Sequence, residues 1–384
     1  MTGRGAEHRF EPPAYPYDRL EESRKIAAAH EGGIVDLSIG TPGDPPPAEV
    51  LAALNDGGDD HDRASRGYPA SAGSVQLRQA VQQWTKNRLG VPVPLEAISA
   101  CVGTKEFVAT TPAWLKLRYP ERDTVLYPAV SYPTYEMGAV LAGLRPVAVP
   151  VDSHWRIDVG AIDEDDARRA LMLWANTPAN PAGSIDDLAA IARWGLEENV
   201  PVFSDECYAE FTWDGQPRTV LGCGDGPDGI EGVVAVHSLS KRSNMAGLRV
   251  GWYAGDPDLV GYLREVRKHA GLMVPGPVQR AATAALGDQD HVELQRSRYR
   301  ERLEFFAHVL SGLGVEARLP EGGFYLWVGA PSRDEWAWTR WLAEHAGVLV
   351  SPGSFYGAGG AGYVRLAMVA PLERLQLVAN RLGL

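Results

Sequence analysis

Short apolar runs and amphipathic segments alternate through the middle of the chain. The apolar runs have the length of buried strands, and they cover 98–102, 124–127, 146–151, 171–175, 202–204, 233–236 and 250–254. Apolar residues recur at helical spacing over 74–89, 105–117, 135–142, 186–197 and 257–269. This alternation predicts an α/β domain whose mostly parallel sheet is sandwiched by helices.

The pattern differs towards both ends of the chain. The N-terminal part predicts a helix over 20–30, a strand over 34–39, a Pro- and Gly-rich loop over 40–47, a helix over 48–54 and a polar loop over 57–66. The C-terminal part predicts helices over 278–286 and 292–313, strands over 315–319, 324–328, 348–350 and 363–368, a helix between the second and third of these strands, and a last helix. These segments predict a smaller α+β domain.

Polar residues follow several of the predicted strands directly. Gly103, Asn176, Asp205 and Ser238 each lie at the end of an apolar run. Ligands of open α/β sheets bind beyond the carboxyl ends of the strands, so a binding site is expected there.

The segment 237–252 carries the clearest chemical signal. Lys241 follows a buried strand closely, and a desolvated amine loses its proton readily and can attack a carbonyl. Ser238 and Arg249 are suited to holding a phosphate beside it. A polar turn with a solvated Lys-Arg pair is the ordinary alternative. The serine three residues before the lysine and the arginine eight residues after it resemble the signature of the class I/II aminotransferases, which are fold-type I pyridoxal-phosphate (PLP) enzymes.

The resemblance implies a role for each residue around the cofactor. Lys241 would carry PLP and move a proton, and Asp205 would pair with the pyridine nitrogen. Tyr208 and Asn180, the latter in an Asn-Pro-x-Gly motif, would reach the ring hydroxyl. Tyr132 would stack on the ring.

A second group of residues would hold the phosphate and the substrate. The phosphate would be cradled where a strand meets a helix, by Gly103, Thr104 and Lys105 together with Ser238 and Arg249. Arg365 and Gly40 match the family positions that hold the substrate α-carboxylate. The resemblance implies that Asn180 contacts the substrate there as well.

The resemblance also implies how the chain is assembled. Tyr68 matches the residue that reaches the phosphate in the neighbouring subunit, so a homodimer with a shared active site is expected. A large PLP-binding domain would span 51–274, and a discontinuous small domain would combine 1–50 with 275–384.

Each of these residues has a plainer alternative. Asp205 could be a helix cap, Asn180 a turn residue, Tyr132 a core side chain and Arg365 an exposed strand arginine. For the whole chain, the alternatives are a PLP lyase on the same fold, a PLP-dependent transcription regulator and a binding module without catalysis. The retention of Lys241 and Asp205 argues against the last, and the lack of a basic helix-turn-helix pattern argues against the regulator.

Composition and charge exclude several functional classes. The chain has 384 residues and a formal net charge of −12, which disfavours nucleic-acid partners. No apolar run approaches the length of about 18 residues needed to span a membrane, and residues 1–16 lack the apolar core of a signal peptide, so a cytoplasmic protein is expected. The three cysteines suggest neither a disulfide framework nor a zinc site, and Cys101 and Cys207 are predicted to lie in the core.

Several segments are more similar to one subgroup, the bacterial N-succinyldiaminopimelate aminotransferases of lysine biosynthesis. These segments cover 103–106, 237–251, 267–275 and 354–357. The implied donor carries two carboxylates far from the reacting carbon, and the cations available for them are Lys105, Arg242, Arg267 and Lys268. Other donors, namely N-acetylornithine, aspartate and aromatic amino acids, remain open.

Overall fold

A seven-stranded sheet forms the centre of the protein, as seen in a computed structural model that describes residues 10–56 and 67–384. Its strand order is β2-β8-β7-β6-β5-β3-β4, and β8 alone in this sheet runs antiparallel to its neighbours. The strands of this sheet are β2 (Ile98–Cys101), β3 (Thr124–Pro128), β4 (Arg145–Val149), β5 (Ala170–Asn176), β6 (Val202–Asp205), β7 (Val233–Ser238) and β8 (Gly251–Gly255). The predicted mostly parallel α/β sheet is therefore confirmed.

Helices surround the central sheet and connect the strands of the protein. They are α1 (Glu21–Ala28), α2 (Ala48–Asn55), α3 (Val75–Trp84), α4 (Thr104–Arg118), α5 (Thr134–Leu141), α6 (Glu164–Arg169), α7 (Leu188–Glu197), α8 (Leu239–Arg242), α9 (Pro257–His269), α10 (Gly276–Gly287), α11 (Asp290–Gly312), α12 (Glu335–Ala346) and α13 (Leu372–Arg381). Side-chain hydrogen bonds cap the N-termini of several helices. At the start of α3, for example, the Ser74 hydroxyl accepts a hydrogen bond from the Leu77 N–H at 3.1 Å.

Both faces of the central sheet are buried. Val233 and Ala235 belong to one apolar cluster, whereas Val234 and Val236 belong to another, because successive side chains of a strand point to opposite faces. Helix α10 contributes side chains to the first of these clusters and so belongs to the core of the central sheet. The predicted domain division assigns this helix to the small domain instead.

A second, smaller sheet lies in a core of its own. The strands outside the central sheet are β1 (Val35–Asp36), β9 (Tyr325–Gly329), β10 (Val348–Leu349), β11 (Ser351–Pro352) and β12 (Tyr363–Ala367). Strands β11, β12 and β9 form an antiparallel sheet, and β1 pairs with β10. Their core draws on residues 35–37 at one end of the chain and 303–378 at the other.

The predicted strand over 315–319 is wrong. In the part of the chain that the structure describes, this segment pairs with no other strand, and Leu319 is 39% exposed. Its apolar alternation is that of a strand, but only Val315 is fully buried in the second core. The predicted strand over 34–39 forms only at Val35–Asp36. The predicted polar loop over 57–66 lies outside the described residues.

The Pro- and Gly-rich loop after β1 is anchored by a partly buried carboxylate. Asp44 accepts hydrogen bonds from two nitrogens of Arg302 at 2.7 and 2.8 Å and from Gln295 at 2.8 Å. Both donors lie on α11, so this helix fixes the loop that leads from the small sheet to the large one.

No helix over 10–56 or 67–384 combines the length and the apolar character needed to cross a lipid bilayer.

Candidate active site

A cavity of about 410 Å³ lies beyond the carboxyl ends of the central strands. Predicted site residues that line it are Gly40, Thr104, Lys105, Tyr132, Asn180, Asp205, Tyr208, Ser238, Lys241, Arg249 and Arg365. Gly103 lies at its edge, immediately before Thr104. Tyr68 does not line the cavity and is 97% exposed. The structure thus brings together residues that the sequence separates by more than 300 positions.

Lys241 lies on α8, a single helical turn that follows β7 directly. Ser238 caps this turn, because its Oγ accepts a hydrogen bond from the Ser240 N–H at 3.0 Å. The Lys241 amine donates a hydrogen bond to the carbonyl oxygen of Gly40. Burial, and to a smaller extent the guanidinium groups of Arg365 and Arg249, lowers the pKa of Lys241 to about 8. Part of this amine is therefore unprotonated near neutral pH.

Asp205 ends β6 and faces the same cavity. Its carboxylate accepts hydrogen bonds from the Tyr135 hydroxyl at 2.9 Å and from the Cys207 N–H at 3.2 Å. Burial raises the pKa of Asp205, and these two neutral donors compensate only in part. A cation held against this carboxylate would restore its ionised form, and a protonated ring nitrogen is such a cation.

Several anion-binding groups converge where β2 meets α4. Gly103 precedes the helix with a φ of +86°, and a Cβ atom there would collide with the guanidinium of Arg249. Thr104, at the start of α4, lines this end of the cavity together with Ser238 and Ser240, whose hydroxyls are 2.8 Å apart. Backbone N–H groups at a helix start, hydroxyls and a guanidinium together match a phosphate.

Arg365 is buried on β12 and forms the other end of the site. It donates hydrogen bonds to the Asn180 side-chain oxygen at 2.8 Å and to the Ser38 carbonyl at 2.6 Å. Its guanidinium carbon lies 4.2 Å from the ring centroid of Tyr325 and 4.9 Å from that of Tyr356. Its buried Nε has no partner among the described residues, so it still has a donor to offer to a carboxylate.

The two asparagines after β5 have different partners. Asn176 donates to the Asp205 carbonyl at 2.8 Å and accepts from the Asn180 N–H at 2.8 Å, so it supports the loop. The side chain of Asn180 instead contacts Arg365. Tyr208, also in the cavity, shares a hydrogen bond of 2.7 Å with the Tyr325 hydroxyl.

Lys105 provides a further cation at the cavity wall. Its ammonium lies 3.5 Å from the Tyr15 hydroxyl and 5.3 Å from the centroid of the Tyr15 ring. Burial lowers the pKa of Lys105, but the phenols of Tyr132 and Tyr15 outweigh this effect and raise it overall. Within the described ranges no carboxylate pairs with it, so Lys105 can meet an anionic ligand group.

The sequence did not identify several tyrosines of this site. Tyr15 and Tyr17 come from the N-terminal segment, Tyr325 from β9, and Tyr135 from α5. Only Tyr135 had a signal, since it lies three residues after Tyr132, the residue that the resemblance assigns to ring stacking.

Three expectations are corrected by the structure. Cys207 is not simply a core residue, because it lines the cavity and its thiol donates to the Thr104 hydroxyl at 3.2 Å. Arg242 and Arg267 do not line the cavity, because their buried guanidinium groups form ion pairs with Glu210 and Glu106 at 3.1 and 2.6 Å. These two cations are thus neutralised internally. Lys268, the remaining candidate, has a side chain 58% exposed beside Glu265.

The residues present fit PLP. A buried amine suited to a carbonyl, a buried carboxylate suited to a ring nitrogen, and a phosphate cradle meet in one cavity. These three features correspond to the aldehyde, the pyridine nitrogen and the phosphate of that cofactor.

Comparisons with known proteins agree with this geometry. The family model described as aminotransferase class I and II matches residues 33–382. The chain is 42% identical over 383 residues to the 4-dedimethylamino-4-oxo-anhydrotetracycline transaminase OxyQ of Streptomyces rimosus, covering 97% of this chain and 99% of that one. It is 31% identical to the LL-diaminopimelate aminotransferase of Aquifex aeolicus, covering 96% of each chain.

A solved structure extends the comparison to the fold. The probable N-succinyldiaminopimelate aminotransferase of Thermus thermophilus superposes with a TM-score of 0.85 at 29% identity, covering 96% of this chain and 99% of that one. The expected fold-type I architecture is therefore confirmed. The chain therefore belongs to the class I and II aminotransferases, a PLP-dependent family.

Proposed function

We propose that the protein transfers an amino group between N-succinyl-L,L-2,6-diaminopimelate and 2-oxoglutarate, forming glutamate, in lysine and diaminopimelate biosynthesis. One observation carries the transaminase part of this proposal: the Lys241 amine, with its pKa lowered to about 8, shares a cavity with the Asp205 carboxylate and the Arg365 guanidinium. The succinylated donor is supported by the sequence resemblance and by the named function of the Thermus thermophilus relative.

When bound, PLP supplies an aldehyde that bonds to amines and a ring that withdraws electrons from the α-carbon. Lys241 would hold the cofactor through its Nζ until the substrate amine displaces it, and the freed amine would then move the proton from the substrate α-carbon to the cofactor carbon that carried the aldehyde. Asp205 keeps a proton on the pyridine nitrogen, because its buried carboxylate needs a cationic partner. Tyr208 and Asn180, which line the cavity, would donate to the ring hydroxyl, and Tyr132 would pack on the ring face.

The phosphate is held at the start of α4. Thr104 and the backbone after Gly103 offer N–H and hydroxyl donors, and Ser238 and Arg249 complete the cradle. Lys105 lies one residue further along the helix and contributes positive charge to the same region.

Arg365 holds the α-carboxylate of the substrate. Its planar guanidinium can form two parallel hydrogen bonds to a carboxylate, and the Nε donor is available for one of them. Gly40 also lines the cavity, and a Cβ atom there would collide with the Tyr325 hydroxyl, so only glycine fits beside this tyrosine. Binding of the α-carboxylate by Arg365 orients the α-carbon proton towards Lys241.

Lys105 binds one of the remote carboxylates of the donor. Its neighbours at the cavity wall are Tyr15 and Tyr132 rather than acids, and the other tyrosine-lined cation, Arg365, is assigned to the α-carboxylate. Lys105→Gln is therefore expected to lower kcat/KM for the succinylated donor at least tenfold, a loss of about 1.4 kcal/mol. The matched control, Lys268→Gln, removes an exposed lysine outside the cavity and should leave kcat/KM unchanged.

The substrate is tested with a panel of amino donors and 2-oxoglutarate as acceptor. The panel contains the succinylated donor, L,L-diaminopimelate, N-acetylornithine, aspartate and phenylalanine, and kcat/KM is measured for each. The succinylated donor is expected to give the highest value. If another donor equals it, the proposed substrate is wrong, and if no donor reacts while β-elimination or decarboxylation is observed, a PLP lyase is indicated.

A second candidate follows from the 42% identity to OxyQ, whose name describes a transaminase of a tetracyclic oxo compound. The tyrosines around the cavity, including Tyr15 and Tyr17, would suit a planar ring system. A tetracyclic ketone as acceptor belongs in the same panel, and a preference for it would replace the diaminopimelate assignment.

The active site is proposed to be shared in a homodimer. Tyr68 is 97% exposed, as expected for a side chain that reaches the phosphate of a second subunit. Mixing the inactive Lys241→Ala and Tyr68→Ala chains should restore part of the activity, because one of the two sites in a heterodimer is then intact. Full activity of a dilute monomer would contradict the proposal.

The domain division and the cellular location also remain proposals. The two separate cores support a large domain over 51–274 and a small one over 1–50 and 275–384, although the packing of α10 favours a boundary after residue 287. A cytoplasmic location is expected from the sequence.

A further inference from the structure

A buried polar cluster lies outside the cavity, beside the turn that carries Lys241. Its centre is the ion pair between Arg242 and Glu210, whose side chains are each 3% exposed. Glu210 also accepts hydrogen bonds from the Trp84 indole at 2.7 Å and from two nitrogens of Arg88 at 2.9 and 3.2 Å. Both carboxylate oxygens of Glu210 thus accept hydrogen bonds, and the donors belong to three different residues.

The Arg242 guanidinium is equally committed. Beyond Glu210 it donates to the Ala285 carbonyl at 2.7 Å, to the Ser243 hydroxyl at 3.1 Å and to the Gln289 side chain at 3.1 Å. These acceptors lie at the end of α10, at the end of α8 and just before α11. One side chain therefore ties the lysine turn to two long helices.

The chain positions of this pair matter for the site. Arg242 directly follows Lys241 and is the last residue of α8, and Glu210 lies two residues after Tyr208. A helix of one turn has almost no stability of its own, so its orientation depends on what holds its two ends. Ser238 holds the first end, and Arg242 holds the second.

A stabilising role alone does not account for an ion pair at this depth. Removing two charges from water costs about as much as their attraction returns, so apolar side chains would give similar stability. An arginine with several hydrogen bonds instead fixes the orientation of the backbone that carries it, because its planar guanidinium accepts few arrangements of its partners. The orientation fixed here is that of the turn carrying Lys241, relative to the segment after β6 that carries Tyr208.

We infer that Arg242, through Glu210, is a positioning residue that sets where the Lys241 amine stands relative to the cofactor ring and the Tyr208 phenol. This inference rests on the proposed role of Lys241 in holding PLP. It does not depend on which amino donor is physiological.

The test compares Arg242→Met with Arg88→Met in the PLP-loaded enzyme. Both variants remove a donor from Glu210, but the Arg88 side chain is 28% exposed, lies on the segment after α3 and bonds to Glu210 and Glu293 rather than to the lysine turn itself. Three quantities are measured: the pH midpoint of the visible absorption of bound PLP, kcat and KM with glutamate as donor, and the melting temperature.

Arg242→Met is expected to shift the absorption midpoint by about half a pH unit or more and to lower kcat about tenfold, with KM for glutamate nearly unchanged. Arg88→Met is expected to keep the wild-type midpoint and kcat, even where its melting temperature falls equally. A wild-type midpoint and kcat in Arg242→Met would overturn the inference, as would equal shifts in both variants.

A conservative variant covers the case in which Arg242→Met does not fold. Arg242→Lys can still reach Glu210 but cannot span Ala285 and Gln289 as well, so an intermediate shift of midpoint and kcat is expected. An unshifted Arg242→Lys would overturn the inference. If the PLP-loaded wild-type enzyme shows no visible absorption band, the proposed role of Lys241 is refuted instead. This outcome distinguishes a failure of the proposed function from a failure of the inference about Arg242.

Discussion

Replacing Lys241 by methionine should stabilise the PLP-free protein at neutral pH. Burial lowers the pKa of this lysine from 10.5 to about 8, and each pKa unit corresponds to about 1.4 kcal/mol. Keeping the ammonium in the cavity below pH 8 therefore costs at most about 3 kcal/mol. Methionine also loses the hydrogen bond to the Gly40 carbonyl, worth about 1 kcal/mol. The expected net gain for Lys241→Met is about 2 kcal/mol.

The sign of the pH dependence follows from the direction of the shift. The folded-state pKa lies below the unfolded one, so between about pH 8 and 10.5 the unfolded chain binds more protons. The contribution of Lys241 to the stability of the wild-type protein therefore rises with pH through that window. The advantage of Lys241→Met should accordingly shrink as the pH approaches 10.5.

The assay is urea denaturation of PLP-free wild-type and variant protein at about pH 7 and pH 10.5, at one protein concentration because association would shift the midpoint. Lys268→Met is the control, since this lysine has a side chain 58% exposed and its substitution should change little at either pH. A Lys241→Met protein less stable than wild type at pH 7, or a difference independent of pH, would refute the reasoning.

Three further outcomes are expected. Asp205→Asn should lower kcat about a hundredfold or more with little change in KM, because the ring nitrogen loses its charged partner; stopped-flow rates within tenfold of wild type would count against this. Arg365→Lys should raise the KM for the donor about tenfold, since an ammonium cannot form the carboxylate fork, and an unchanged KM would contradict it. Burial raises the pKa of Asp44, but the hydrogen bonds from Arg302 and Gln295 lower it by more than burial raises it, so the stabilisation from this carboxylate is present at neutral pH and lost in acid. Asp44→Asn should therefore cost about 2 kcal/mol in urea denaturation at pH 7 and much less below pH 4, and equal losses at both would be inconsistent.

The sequence could predict the parts of the site that lie next to strand ends. Apolar runs mark the strands, and the carboxyl ends of parallel strands meet at one edge, so Asp205, Ser238 and Lys241 could be expected together. The resemblance added Arg365 and Gly40, which no periodicity connects to this edge.

The tyrosines around Arg365 could not be predicted in the same way. Tyr17 and Tyr325 come from segments far apart in the chain, and their rings reach the cavity only because the small sheet packs beside the large one. An aromatic residue in an apolar segment has the same pattern whether it fills a core or lines a cavity.

The buried arginines show a second limit. Arg267 stands in a polar helical segment, and nothing in its neighbourhood along the chain indicates that Glu106 neutralises it. A cation in such a segment can serve a ligand or an internal acid, and only the three-dimensional pairing distinguishes them. Similarly, Val315 and its neighbours alternate as in a strand, but alternation cannot supply a partner strand.

The charge of the cavity lining has a consequence for the ionic strength at which the enzyme works. Lys105, Lys241, Arg249 and Arg365 face the cavity with Asp205 as the acid among its lining residues, whereas the whole chain carries −12. At 0.1 M salt, fields fade over about 10 Å, so the cations act only on a substrate already at the entrance. At lower salt the acidic surface repels a polyanionic donor over longer distances. Moderate salt should therefore speed substrate capture, the opposite of the usual slowing in enzymes that attract their substrates from afar.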